Sequence, residues 1–472
     1  MADIPMAIRL RTRRTAVLAP LLAAAALLAA ACGGSGSSSS SSSSSAAAPA
    51  TSAAASGSAA EKPLAPATVT LWVGFTQREL KIIKGVVARF EQANPGVKVK
   101  TVGGISDDKI VAAIRGGNAP DIAQSFSTDN TGSFCASGAW TDLGPRMKAD
   151  GLSADQFPPA VRSYIGFGGK QCAMPMLADV YGLYYNKKLF AKAGITQPPR
   201  TLSELTADAK KLTQRSADGT IKVAGFDPTW GFYENAIAHY APLVGAKWTK
   251  PDGSSNLAGD PNWVKLLQWQ KDLVDWYGYD KLVRFNAGAG DEFSASNAFE
   301  TGKVAMTMDG EFRTAFLADE HPELKYGTAP MPVDDANPSL YGAGYVTGNI
   351  AGIPKGAKHP EQAWALLKYL ATDPKAESVL SNELKNVPTT TASLKATELR
   401  PTPEFKPFLA IFAHPKTATN PINAGGAANQ ELFEQMLAKY QAGKVPDLHA
   451  ALQKVDEQID AQVENASGPQ VP

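Results

Sequence analysis

The chain is predicted to be an α/β protein with a parallel sheet and enough sequence for two domains. Three observations predict this. Its 472 residues are 44% hydrophobic and 19% charged, ordinary globular material sufficient for two cores. Strand-like and helix-like stretches alternate from Thr68 to Asn130. Further on, an extended apolar run, Met174–Tyr185, carries a carboxylate, Asp179, in its interior.

The first 31 residues read as an address. Arg9, Arg11, Arg13 and Arg14 precede the apolar run Ala16–Ala31, and small residues lead to Cys32. A basic segment, a short apolar run and small residues before a cut are secretion-signal chemistry, and the run is short for a membrane span. The cysteine resembles that of a bacterial lipobox, which implies a diacylated N-terminus; two acyl chains hold a protein stably at a membrane. Residues 33–60 are rich in Ser, Ala and Gly without periodicity and read as a flexible tether. The four arginines and one aspartate of the leader leave −2 for the rest of a chain whose formal net charge is +1. A near-neutral body argues against nucleic acid as partner. Cys135 and Cys172 remain as an even pair in an oxidising compartment. They are either bridged, which contributes about 4 kcal/mol on loop entropy, or two buried free thiols.

The folded body opens near Pro66. Thr68–Phe75 reads as a strand. Leu80, Ile83, Val86, Val87 and Phe90 form the stripe of an amphipathic helix over Glu79–Gln92, which Asn94-Pro95-Gly96 stops. Val97–Val102 alternates as a second strand. Ser106 and Asp107 cap a helix to about Ile114, and Ala119-Pro120-Asp121-Ile122 leads into a third strand. Such alternation implies parallel strands with right-handed crossovers. Ligands bind beyond the C-terminal ends of such strands. That rule selects Gly74, Phe75, Thr76 and Gln77 after the first strand, and Ser125, Thr128 and Asp129 after the third.

Met174–Tyr185 is dominated by β-branched, aromatic and other apolar residues without a helical stripe, so it reads as extended. Asn186 then caps a short helix, Lys187–Ala193, closed by Gly194. Acids are rarely buried alone, so Asp179 either pairs internally or faces a cleft beside Tyr181. Leu202–Leu212 and Pro261–Tyr277 show helical stripes, and the second places Trp263, Trp269 and Trp276 in the core. Pro228 and Gly231 interrupt Phe226–Tyr233, so Trp230 and Tyr233 sit on a loop. An aromatic ring held there can meet the apolar face of a sugar. Phe299–Phe312 reads as helix end, strand, turn and helix start, and Tyr326–Pro332 as a strand. Tyr341–Pro354 is a Gly-rich extended segment and His359–Pro374 an amphipathic helix. Helices near Gln430–Tyr440 and over Leu448–Val463 close the chain.

In order and spacing these motifs resemble the bacterial extracellular solute-binding family that includes maltose-binding protein. The resemblance covers about residues 66–465 and rests on four features. Asp179 precedes Leu183-Tyr184-Tyr185-Asn186-Lys187; Phe299-x-x-Gly302-x-x-Ala305-Met306 leads to Gly310; Tyr326-Gly327 precedes a Pro turn; and Pro360-Glu361-x-Ala363-Trp364 opens a helix. It implies a two-lobed periplasmic-binding-protein fold, each lobe a mixed, mostly parallel sheet flanked by helices, with interlobe crossovers near Asp179 and near Gly344–Asn349. The implied division is 1–31 signal peptide, 32–65 tether, 66–177 and 346–395 lobe one, and 178–345 lobe two. Residues 396–472 are then C-terminal helices completing mainly lobe two.

The resemblance implies a monomeric, lipid-anchored extracytoplasmic protein. It would capture a mono-, di- or short oligosaccharide and deliver it to the permease of an ABC importer, with no cofactor and no metal. Asp179, Tyr181, Asp309, Gly310, Glu311, Phe312, Gly342, Gly344 and Tyr345 join the cleft on this basis. Phe312 stands where the family has a sugar-stacking tryptophan. Pro421–Ala427 holds no aromatic; Asn423 within it and Asn429 just after it are the available polar groups, which argues against a long maltodextrin. The sequence contains no Gly-x-Ser-x-Gly elbow, phosphate loop or His-Glu-x-x-His motif. Paired carboxylates keep a secreted carbohydrate-acting hydrolase as the alternative, with Asp179 and either Asp129 or Glu311 as the pair.

Overall fold

The computed structural model describes residues 63–467; the expected leader and Cys32 lie outside the described residues. Strands β1 (Ala67–Trp72), β2 (Val97–Val102) and β3 (Ile122–Ser125) pair in parallel with β1 in the middle. A short hairpin, β4 (Gly166–Phe167) and β5 (Lys170–Gln171), precedes β6 (Met174–Asn186). Then come β7 (Gln214–Arg215), β8 (Ile221–Phe226), β9 (Val304–Gly310), β10 (Tyr326–Ala329) and β11 (Val346–Gly352). The sheet runs β2-β1-β3-β11-β6-β9-β8-β7, with β10 also on β6.

Parallel pairing is confined to β1–β3 and to β8–β9; the other neighbours in this sheet are antiparallel. The reason lies in β6 and β11, which run in opposite directions between the two halves. The first half of β6 pairs with β11 (Asp179 opposite Thr347, Val180 opposite Val346), and its second half pairs with β9 (Tyr181 opposite Gly310, Tyr185 opposite Met306).

Two hydrophobic cores flank this exchange. The first gathers Val69, Leu71, Ile83, Phe90, Met176 and Val180; the second gathers Leu183, Phe226, Trp263, Leu266 and Met306. Phe405, Phe408, Ile411 and Phe412, around the helix Lys406–Ala413, pack into the first core. The last two helices, Ala428–Gln441 and Leu448–Ser467, supply Phe433, Leu437, Leu452 and Val455 to the second.

Local signals explain most elements. The helix Gln77–Ala93 buries Ile83, Val86, Val87 and Phe90, the stripe expected from spacing. Ser106 accepts from Lys109 N at the start of the next helix, and Asn186 accepts from Leu189 N at 3.0 Å. Thr201 and Glu204 form a reciprocal capping box on Leu202–Leu212. Two expectations are corrected. β1 ends at Trp72 rather than Phe75, and the Gly74 N–H is taken by Gln124 Oε1 at 2.7 Å. Trp276 is 39% exposed rather than core; two charged side chains, Arg215 and Lys210, lie over its ring at 5.0 and 5.6 Å and leave part of it in water.

Cys135 and Cys172 are bridged, with Cα atoms 5.6 Å apart and a sequence separation of 37. The bond ties the helix Asn130–Ala136 to the segment entering β6. Replacing both cysteines with alanine should lower stability by about 2–5 kcal/mol. Urea titration of the variant checks this; an unchanged midpoint would contradict it.

Candidate binding site

The site is built where β6 changes partners. The Val180 N–H donates to Glu311 Oε2 at 2.6 Å, and the Glu311 N–H donates to the Val180 carbonyl at 3.2 Å. Asn386 Nδ2 donates to Asp179 Oδ1 and lies 3.4 Å from Glu311 Oε1. Both carboxyls are buried, Glu311 completely. The structure thus joins Asp179 to Glu311 through an amide. Burial pushes Asp179 up to about 7, with Glu79 adding to the rise against the pull of Asn386. Burial and then Asp179 push Glu311 well above the usual carboxylate range.

An aromatic stack continues from this pair. Tyr181 stacks on His239 with centroids 3.8 Å apart, and Tyr345 stands 4.8 Å from His239 and 5.8 Å from Tyr181. All three are buried. His239 is held by the Glu234 carbonyl at 2.8 Å. Burial drives its pKa down to about 4, so the ring is neutral at pH 7. Asn420 Nδ2 donates to the Tyr345 hydroxyl at 3.1 Å.

The loops after β1 and β3 are tied to this region. Gln124 takes the Gly74 N–H and donates to Asn349 Oδ1 on β11 at 3.1 Å. Thr128 is fully buried, with its hydroxyl 2.8 Å from that of Thr347. Asp129 accepts from Gln430 Nε2, and burial holds it up at about 6. Phe75 is buried and meets Phe126 edge-on at 4.9 Å, while Thr76 and Gln77 are exposed.

Other candidate residues have different surroundings. Ser125 donates to Asp107 Oδ2 at 2.9 Å. Asp309 is 1% exposed and bound to Arg313 Nε at 2.7 Å, within a buried ion network that includes Glu300. The Gly310 carbonyl accepts from Tyr184 at 2.8 Å. Phe312 is half-buried, 6.1 Å from the exposed Phe293. Trp230 is buried edge-on against Tyr240 at 5.2 Å, and Tyr233 donates to the Ala289 carbonyl at 3.0 Å. Gly342 has φ +105°, which a side chain adopts only under strain, and a Cβ on Gly344 would stand 2.5 Å from Ile411.

The loop selected after the third strand also holds the half-exposed Phe126, whereas sequence reasoning missed Glu79, His239, Asn386 and Asn420. Tertiary crossing brings in the last three. One backbone signal marks the region: Gln77, Tyr233 and Lys385 are the non-glycine residues with positive φ among those described. Two are candidates from the sequence and the third precedes Asn386. Such strain costs about 1–3 kcal/mol each and clusters at functional sites.

Residues 76–377 match the family model of the bacterial extracellular solute-binding proteins, and the chain belongs to this family. A Brucella abortus protein described as a binding protein is 29% identical over 204 residues, 43% of this chain and 47% of that one. The chain thus spans about half the length of that relative. The sn-glycerol-3-phosphate-binding periplasmic protein UgpB of Salmonella paratyphi A is 28% identical over 349 residues, 71% of this chain and 77% of that one. Among solved structures, CpMnBP1 with mannotriose bound superimposes with a TM-score of 0.74 at 26% identity, covering 84% of this chain and 100% of that chain.

The carboxyl at the crossing has a pH signature. Between about 4, where an unfolded aspartate titrates, and about 7, folded Asp179 keeps a proton that the unfolded chain releases. Stability should therefore fall as pH rises through that window. Glu311 and Asp129 act with the same sign. Asp179→Asn should make the decline shallower in urea melts from pH 4 to 8; an unchanged slope would place that proton elsewhere.

Proposed function

We propose that the chain is the extracytoplasmic binding component of an ABC importer, capturing a mono-, di- or short oligosaccharide. It would deliver that sugar to a membrane permease, held at the membrane by lipid on Cys32 after removal of a signal peptide. The family match supports the class. The observation that carries the ligand reading is the polar and aromatic set at the β6 crossing: Asp179 and Glu311 bridged by Asn386, beside the Tyr181–His239–Tyr345 stack. A sugar presents hydroxyls around its rim and C–H faces above and below. Carboxylates accept from hydroxyls with charge-assisted bonds, and aromatic rings cover the faces. In this reading Asp179 and Asp129 take hydroxyls and Tyr181 and Tyr345 flank the ring. The mannotriose complex of CpMnBP1 is consistent with a saccharide ligand.

A thermal-shift screen against mono- and disaccharides tests the reading. A ligand at about 100 times its Kd should stabilise the protein by about 2.7 kcal/mol. Leaving a buried hydroxyl unpaired costs about 1–3 kcal/mol, so Asp179→Asn should weaken binding of the hit about 5- to 150-fold. Chromatography should recover the oligosaccharide intact after incubation. Cleavage would support a hydrolase, and no shift with any sugar would remove the ligand reading.

A further inference from the structure

At the β7 edge of the sheet, a surface cavity of about 340 Å³ opens between the β7–β8 turn and the helix Tyr279–Asn286. Its lining carries Lys222, Lys281, Arg284 and Lys303 against a single acid, Asp218. Ile221 opens β8 and Lys303 stands just before β9, so the cavity lies at the N-terminal ends of this parallel pair. The β6 crossing meets the other end, where Gly310 closes β9 opposite Tyr181. The length of β9 separates the two places, about 20 Å.

The wall has donors to spare, and its acceptors are engaged. Lys222, Lys281 and Arg284 make no side-chain hydrogen bond or ion pair among the described residues. Lys303 spends one N–H on the Gly288 carbonyl at 2.8 Å and keeps the others. The Gly219 carbonyl is taken by Arg215 at 3.3 Å. Asp218 Oδ1 accepts from Ser216 at 2.6 Å and from the Thr220 N–H at 3.0 Å, with Lys222 as its charged neighbour. Charge and hydrogen bonding therefore both ask for an anion with several acceptor oxygens.

Arg215 joins this cavity to an exposed aromatic ring. Besides bonding Gly219, its guanidinium lies 5.0 Å over Trp276, and Lys210 stands 5.6 Å from the same ring. Trp276 is thus a partly exposed indole flanked by cations, with an apolar body and a polar edge. Free phosphate would use the cavity and leave the indole idle. Nucleic acid wants a long basic stripe, which a near-neutral body does not supply. An anionic lipid surface uses both features, because its phosphates meet the cations and indoles settle at headgroup level.

We propose that this face docks the folded body on an anionic membrane, with lipid phosphates in the cavity and Trp276 among the headgroups. The inference takes its membrane from the anchored, extracytoplasmic reading above and needs nothing from the sugar. An acyl anchor would keep the face close to lipid, so a weak contact is enough to set orientation. The β6 crossing, at the far end of β9, stays free for ligand.

Residues from Lys62 onward form one compact unit containing both cores, so the body is tested without the leader or Cys32. Co-sedimentation is measured with vesicles of phosphatidylcholine alone and of phosphatidylcholine mixed with phosphatidylglycerol. Binding to the anionic vesicles should exceed binding to the neutral ones about tenfold or more, and should fade at high salt. Lys281→Gln combined with Arg284→Gln should weaken it about 25-fold, roughly fivefold for each cation, with an unchanged melting temperature. Equal binding to the two vesicle types, or an anionic preference that the double variant keeps, would overturn the inference. So would retention of soluble polyphosphate by a body that ignores anionic vesicles. None of these results touches the earlier readings: membrane fractionation of a Cys32→Ser chain tests the anchor, and the thermal-shift screen tests the sugar.

Discussion

The Val180 N–H is the point on which the architecture turns. At this residue β6 leaves β11 and takes up β9, so its amide would lose a strand partner in a buried place. The Glu311 carboxyl fills that position at 2.6 Å while the Glu311 N–H returns a bond to the Val180 carbonyl. A buried backbone donor left unpaired costs about as much as a lost hydrogen bond, roughly 1–3 kcal/mol. A carboxyl in that role must itself be buried, and Asn386 ties it to Asp179. Buried polar groups that are fully satisfied define one geometry, whereas half-satisfied ones destabilise it. One exchange of strand partners therefore places two acids and an amide between two cores.

That placement concentrates polar and aromatic side chains. The aromatic stack begins one residue after Val180 and reaches Tyr345, one residue before β11. The loops after β1 and β3 are anchored to β11 through Gln124–Asn349 and Thr128–Thr347. The β6–β11 register shifts between Asn349 and Ile350, and Lys385 carries a positive φ beside Asn386. Irregularities at the ends of elements absorb the dihedral changes of a hinge. The residues proposed for recognition thus also form the join between the cores.

Much of the fold was legible because its signals are local. The stripe Ile83–Phe90, the Ser106 and Asn186 caps and the Pro261 start each depend on neighbours within a turn or two. Asp179 was legible as well, since a carboxyl inside an apolar run demands a partner whatever the fold. Its partners were not: Asn386 lies 207 positions away and Glu311 far from both. Trp276 shows the same limit from the other side. A helical stripe says which residues share a face, but not whether another element covers it. Strand direction beyond β3 was hidden too, because the antiparallel returns of β6 and β11 are set by passage between the halves.

The claim that the β6 crossing joins two bodies which close on a sugar is most directly measured by small-angle X-ray scattering, with and without a saturating sugar. Two bodies hinged at β6 and β11 should give a smaller radius of gyration when liganded. An identical scattering curve at verified saturation would contradict a closing site.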